Sequence, residues 1–170
     1  MGMIRKSSKW EEKESVKKGN IGEELCRKYL EKKGYVIYQP TTEKAHSFDN
    51  LVIKDKTKIS IVEIKTKPRR LYYEDTGINF THYKLYKEIS KKHNLNLIIL
   101  FVDEIEKKIY GNTLENLEKE VVDKNKYPLI HNNIIYFHLS NMKKVCTLTK
   151  QQCEQIKRYT NSKYHKYSAG

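Results

Sequence analysis

Residues 48–67, FDNLVIKDKTKISIVEIKTK, decide how this chain is read. Two apolar runs, at 51–53 and 59–62, flank a polar turn at 55–58, a pattern that predicts a β-hairpin or a pair of neighbouring strands. Asp49 stands at the mouth of the first strand, and Glu63 and Lys65 close the second with Ile64 between them. Side chains alternate along a strand, so Glu63 and Lys65 share one face and Ile64 takes the other. Two carboxylates and an amine gathered at neighbouring strand ends are costly beside a core unless something neutralises them. One reading is that these are exposed hairpin ends whose charges pair with one another. The other is a divalent ion. Mg²⁺, with Mn²⁺ as a substitute, prefers hard carboxylate oxygens, keeps several waters and accepts phosphate oxygens. Asp49 and Glu63 would be its side-chain ligands and the Ile64 carbonyl a third donor. Lys65 would orient an attacking water or stabilise charge on phosphorus.

Upstream, residues 19–33, GNIGEELCRKYLEKK, have helical periodicity, with Ile21, Leu25 and Tyr29 alongside Cys26 and Leu30 on one apolar face. Asn20 is the expected N-cap, with Glu23 in the capping-box position and Gly34 ending the helix. This helix offers a third acid. Glu24 lies four residues before Lys28, the spacing of an exposed ion pair, whereas Glu23 lines up with Cys26 and Leu30. Glu23 is therefore the inward candidate. A short strand is expected at 35–38 and a polar loop at 41–47.

Downstream, residues 66–79, TKPRRLYYEDTGIN, read as an irregular loop beside the site. Its Lys67, Arg69 and Arg70, set among aromatics, suit phosphate contact and base stacking, or else a solvated, mobile loop. A helix follows at 80–93 with Phe80, Tyr83, Leu85, Tyr86 and Ile89 as core positions, and LNLIILFV at 95–102 predicts a central strand buried on both faces. A turn at 103–108, a short strand at 109–110, a small helix at 113–122, a strand at 134–139 and a last helix after a Thr149–Gln152 capping box complete the pattern. The order is α, β, β, β, α, β followed by a mixed appendage, which predicts an α/β fold with a mixed sheet flanked by helices.

Composition narrows the partners. Thirty-four Lys and Arg against 21 Asp and Glu give a net charge of +13, which suits a polyanion, since binding phosphates releases counterions. A Lys-rich solubilising surface would give the same count. Cys26, Cys146 and Cys153 have no metal-ligand spacing, nor do the six histidines, and an odd cysteine count argues against a disulfide framework. No apolar run reaches the roughly 18 residues of a membrane span. A soluble, cytoplasmic protein without a small-molecule cofactor is expected, organised as an N-terminal basic arm or helix at 1–18, a single domain at 19–160 and a flexible tail at 161–170.

Three motifs in order resemble the PD-(D/E)xK nucleases, in particular their Holliday-junction-resolvase-like branch. The G-x-x-x-E that opens the first helix in that family corresponds to Gly19 through Glu23. The D-[LI]-[IV] motif corresponds to Asp49-Asn50-Leu51-Val52, with Asn50 as an extra residue, and E-x-K to Glu63-Ile64-Lys65. The family's proline before the acid is here Phe48. The resemblance spans 19–102 and implies a restriction-endonuclease-like αβββαβ core, with the rest of the chain as a C-terminal α/β appendage. It also implies Mg²⁺-dependent hydrolysis of DNA phosphodiesters, with Glu23, Asp49, Glu63 and Lys65 as the catalytic set. A polar residue on the later helix, for which His82, Tyr83 or Lys84 are candidates, would face the site, and Tyr83 and Lys84 join the nucleic-acid-binding set. Duplex or branched DNA is the implied partner, and a homodimer follows from the symmetry of a junction. The alternatives are a non-catalytic nucleic-acid-binding protein and a phage-type interaction protein on the same fold, in a bacterial or phage-infected cytoplasm.

Overall fold

The computed structural model describes residues 13–40, 48–55 and 57–160. The polar loop expected at 41–47, the tail at 161–170 and most of the N-terminal arm lie outside the described residues.

The first helix, α1 (Glu14–Lys32), starts well before the expected Asn20 cap, at Lys13, with no side-chain cap and with Glu14 in its first turn. Lys, Glu and Val at 13–18 sustain the helix, and packing overrides the weak propensities of Gly19 and Asn20. Gly22 rather than Gly19 is the glycine that packing demands: a Cβ at 22 would fall 1.8 Å from Thr66 Oγ1, whereas one at 19 meets nothing within 4 Å.

Strands β1 (Val36–Tyr38), β2 (Asn50–Lys54) and β3 (Lys58–Thr66) pair antiparallel in turn, and the predicted hairpin is β2–β3 with Asp55 at positive φ in its turn. The predicted loop after Lys65 departs from expectation, because its second half is strand β4 (Asp75–Asn79). Helix α2 (Phe80–His93) is capped by the Asn79 side chain and leads into β5 (Asn96–Asp103), which lies parallel to β3. Strand β6 (Lys108–Thr113) is longer than the expected 109–110. The expected helix at 113–122 shrinks to α3 (Leu114–Leu117), and Val121–Val122 (β7) instead pairs with Lys126–Tyr127 (β8). Then come β9 (Leu129–His131), β10 (Ile134–His138), β11 (Lys143–Thr147) and α4 (Lys150–Lys157), the last capped by the expected Thr149–Gln152 box.

The main sheet is mixed, in the order β1-β2-β3-β5-β6-β11, and a second sheet runs β4-β10-β9. Strands β3 and β5 divide their side chains between two cores. Ile61, Ile99 and Phe101 face α2, Ile135 and Phe137, while Val62, Ile64, Leu100 and Val102 face Cys26 of α1 and Cys153 and Ile156 of α4. Burial on both faces is what the continuous apolar run at 95–102 requires. Leu85, expected in the core, is 40% exposed, whereas Tyr86 beside it is buried.

Candidate functional site

The core on the α2 side has a charged neighbour where an apolar residue would otherwise sit. Glu63, on β3 between Val62 and Ile64, is only 1% exposed. It points to the α2 face, where Tyr86 Oη donates to its Oε1 at 2.6 Å and the Lys65 ammonium donates to the same oxygen. The other oxygen, Oε2, is buried without a partner among the described residues. The charges do pair, as one reading of the sequence had it, but Glu63 does so in the interior rather than at an exposed hairpin end.

Asp49 precedes β2, and its Oδ2 accepts from the backbone N–H of Ile64 at 2.8 Å. The acid is thereby tied to the strand residue between Glu63 and Lys65. Asn50, the extra residue after the acid, opens β2 opposite Val62 and is 1% exposed, with neither amide atom partnered among the described residues. Because a strand residue presents its N–H and C=O on the same side, the Ile64 carbonyl emerges on the edge where Asp49 sits. Burial first, and then the neighbouring Glu63 charge, push the Asp49 carboxyl up to about 6, against the opposing pull of Lys65, the Ile64 amide and Arg27.

Of the two acids on α1, Glu24 makes an exposed ion pair with Lys28 at 2.6 Å. Glu23 is the more buried of the two and lies 3.5 Å from Arg27. Its carboxyl is raised by burial and by the charge of Asp49, and lowered by Arg27 and Lys65, so Glu23 shares the electrostatic field of Asp49 and Lys65. Burial alone would lower the Lys65 ammonium, but Glu63 and Asp49 raise it overall, and it stays charged. Tyr86 and Arg27 were not singled out as site residues in the sequence. Tyr86 carries the signal of an ordinary core tyrosine, and its hydroxyl is raised by burial and by Glu63. Arg27 sits four residues after Glu23 and was legible only as a helix-surface ion pair.

The residues expected to meet nucleic acid are placed differently from a free basic loop. Lys67 Nζ donates to the Gly77 carbonyl at 2.8 Å, and burial brings its ammonium down to about 8. Arg69 Nε reaches Glu106 Oε1 at 3.0 Å, and its Nη1 reaches the Arg70 and Tyr73 carbonyls at 3.2 and 3.3 Å. Arg70 binds both oxygens of the fully buried Asp75, with Nε at 2.6 Å from Oδ1, and its guanidinium lies 4.1 Å from the Tyr73 ring centroid and 3.9 Å from that of Tyr136. Two of the three cations are thus paired with acids and the third is bound to a carbonyl. Tyr83 is also engaged: its hydroxyl donates to Glu118, and Lys87 Nζ donates to it at 3.0 Å. Lys84 is exposed, with its ammonium 5.1 Å from the Phe80 ring centroid. Among the three α2 candidates, His82 packs beside Tyr86, the residue that donates to Glu63, with ring centroids 6.0 Å apart. Cys26 is buried against the sheet and its thiol is raised, chiefly by burial.

Among the described residues, no three His, Cys, Asp or Glu side chains come together as a metal cage. That composition still fits Mg²⁺, which takes one or two carboxylates and leaves its other positions to water and phosphate oxygens. The partnerless, buried Glu63 Oε2 is the observation that speaks for a cation here, since an uncompensated buried carboxylate oxygen carries a desolvation cost. The donors would be Asp49, Glu63 and the Ile64 carbonyl.

No protein-family model matches the chain, and no curated protein sequence matches it. Among solved structures it is similar to the 1.6 Å structure of Hjc, a Holliday junction resolvase from the archaeal hyperthermophile Archaeoglobus fulgidus. The TM-score is 0.52 at 10% identity, over 72% of this chain and 90% of that one. At that identity the likeness concerns the fold. Among the described residues no helix is long and apolar enough to cross a membrane. The chain has a mixed α/β, restriction-endonuclease-like fold, with its buried carboxylate site at the centre of the main sheet.

Proposed function

We propose that this protein is a PD-(D/E)xK-type, Mg²⁺-dependent endonuclease that hydrolyses DNA phosphodiesters and acts on branched DNA in the manner of a Holliday junction resolvase. The observation that carries this reading is the tie between the Asp49 carboxylate and the Ile64 amide, beside a buried Glu63 with one free oxygen. Bound Mg²⁺ supplies Lewis acidity toward the phosphate and lowers the pKa of a bound water. The chain's own residues do the rest. Asp49 and Glu63 provide negative charge at a fixed spacing, with Mn²⁺ as an alternative ion. Tyr86 and Lys65 hold Glu63 Oε1, which leaves the partnerless Oε2 as the atom that would serve a cation. Lys65 stays protonated and so serves as a cation that stabilises charge on the pentacovalent phosphorus, not as a base. Glu23, with its raised carboxyl, is suited to position or accept a proton from water at the edge of the site.

DNA is the proposed partner, supported by the charge of +13 and by the resolvase-like fold. Because the loop cations are engaged within the protein, Lys67, Arg69 and Arg70 are proposed to shape the DNA-facing surface and to contribute only their remaining donors to phosphates. Symmetric cleavage of a junction calls for two sites, and hence a homodimer. The pairing of Lys65 with Glu63 inside the site favours one rival, a non-catalytic DNA-binding protein on this fold. A cleavage panel of four-way junction, flap, linear duplex and single-stranded DNA in Mg²⁺ separates the two. The nuclease reading expects Mg²⁺-dependent product, greatest on branched substrates. Tight binding with no product in Mg²⁺ or Mn²⁺ favours the rival.

A further inference from the structure

The cavity next to the site has no role in hydrolysis itself. It measures about 580 Å³, in the range of ligand pockets, and its wall begins at Thr66 and Lys67, immediately past Lys65 on β3. Pro68, Leu71, Ile105, Tyr136 and Tyr159 give it apolar and aromatic walls. The cations on its rim are mostly neutralised in place. Arg69 pairs with Glu106 and Arg70 with Asp75, and Lys18 pairs with the buried Glu104 at 2.5 Å. The exception is Lys67. Its ammonium donates to the Gly77 carbonyl, and among the described residues it has no carboxylate within ion-pair distance.

A cavity with near-neutral polar walls and aromatic side chains suits a neutral, planar group better than a free anion. One unpaired ammonium at its mouth suits a single phosphate attached to that group. A planar group already packs on an aromatic ring of this wall, the Arg70 guanidinium lying 3.9 Å from the Tyr136 ring centroid. We propose that this cavity receives one unstacked nucleobase of the DNA, with Lys67 on its phosphate, so that the protein selects DNA with an unpaired nucleotide next to the scissile bond. The inference rests on the DNA-cleaving reading above and adds to it a source of substrate selectivity. Stacking a base on aromatic side chains is sequence-tolerant, and an already unpaired base costs least to extrude.

The test uses the full chain in chelator with a duplex carrying one bulged 5-iodo-deoxyuridine, compared with the fully paired duplex. Irradiation followed by mass spectrometry maps the cross-link, and anisotropy measures affinity. Cross-links to Tyr136 or Tyr159 and about tenfold tighter binding of the bulged duplex are expected, within what one stacked base contributes. Tyr159→Ala takes a half-buried aromatic ring off the cavity wall and is expected to cut the bulge preference to within about twofold, with binding of the paired duplex kept. DNA binding with no bulge preference, cross-links elsewhere, or a preference that survives Tyr159→Ala undiminished would overturn the inference while leaving the nuclease reading intact. Absence of any DNA binding would overturn both.

Discussion

Replacing Asp49 with asparagine is expected to make the metal-free protein more stable while abolishing its activity. The Asp49 carboxyl is held at about 6 against an ordinary value of 3.8, chiefly by burial and then by Glu63. A raised acid in the folded state means that the folded protein binds the proton more tightly than the unfolded chain between those two values. Stability therefore falls as pH rises from about 4 to about 6 and stays reduced above that. At about 1.36 kcal/mol per pH unit the charged acid costs up to about 3 kcal/mol near neutral pH. Asparagine keeps an oxygen for the Ile64 amide but loses the attraction of Lys65 and Arg27, so a net gain of about 1–2 kcal/mol is the working expectation. For a chain of this length that is a rise of roughly 2–8 °C in Tm. The assay is thermal or urea unfolding in chelator at pH 7.5 and pH 4. The variant should lead at the higher pH, and the gap should close at the lower one. Adding Mg²⁺ should then stabilise the wild type, by about 2.7 kcal/mol at a hundred times its Kd, and leave the variant unmoved. A variant less stable than wild type at pH 7.5 in chelator, or a difference that ignores pH, would refute the reasoning.

Three further substitutions test the scaffold around the site. Tyr86→Phe removes the 2.6 Å donor to Glu63 and should cost about 1–3 kcal/mol in urea unfolding, a loss that Glu63→Gln should largely mask in a double-mutant cycle. Gly22→Ala places a methyl group into Thr66 and should destabilise by about 1–3 kcal/mol, although alanine is the better helix former; a stabilised variant would show that α1 can shift away from β3. Arg70→Met strands the fully buried Asp75 with only the Tyr127 hydroxyl, 2.8 Å away, and should cost about 3–5 kcal/mol by unfolding, far more than an exposed ion pair.

The parts of the fold that were legible in the sequence are those specified locally. The two apolar runs at 51–53 and 59–62 around a polar turn gave the hairpin, the continuous run at 95–102 gave the buried strand, and Thr149 with Gln152 gave the last helix start. The inward placement of Glu23 over Glu24 followed from helix spacing alone. What stayed hidden depends on distant partners. Asp75–Asn79 looks like part of a loop because Pro68 and two arginines precede it and Gly77 lies within it. It becomes a strand because Arg70 and Tyr127, the latter 52 positions away, compensate the buried carboxylate and β10 lies alongside. The loop cations read as free because Glu106, which engages Arg69, lies 37 positions on. Tyr86 is indistinguishable from a core tyrosine until Glu63 is seen beneath its hydroxyl. The start of α1 was missed because Gly19 and Asn20 look like a boundary until Gly22 is found packed on Thr66.

Asp49, Glu63 and Lys65 are proposed to form a metal-dependent phosphodiesterase centre. The most direct measurement follows binding and cleavage of one labelled four-way junction, with Mg²⁺ or with chelator, by the wild type, Asp49→Asn and Lys65→Ala. All three should bind the junction within a few-fold of one another, and only the wild type with Mg²⁺ should cut it. Cleavage that persists undiminished in either variant, or that needs no divalent ion, would contradict that assignment.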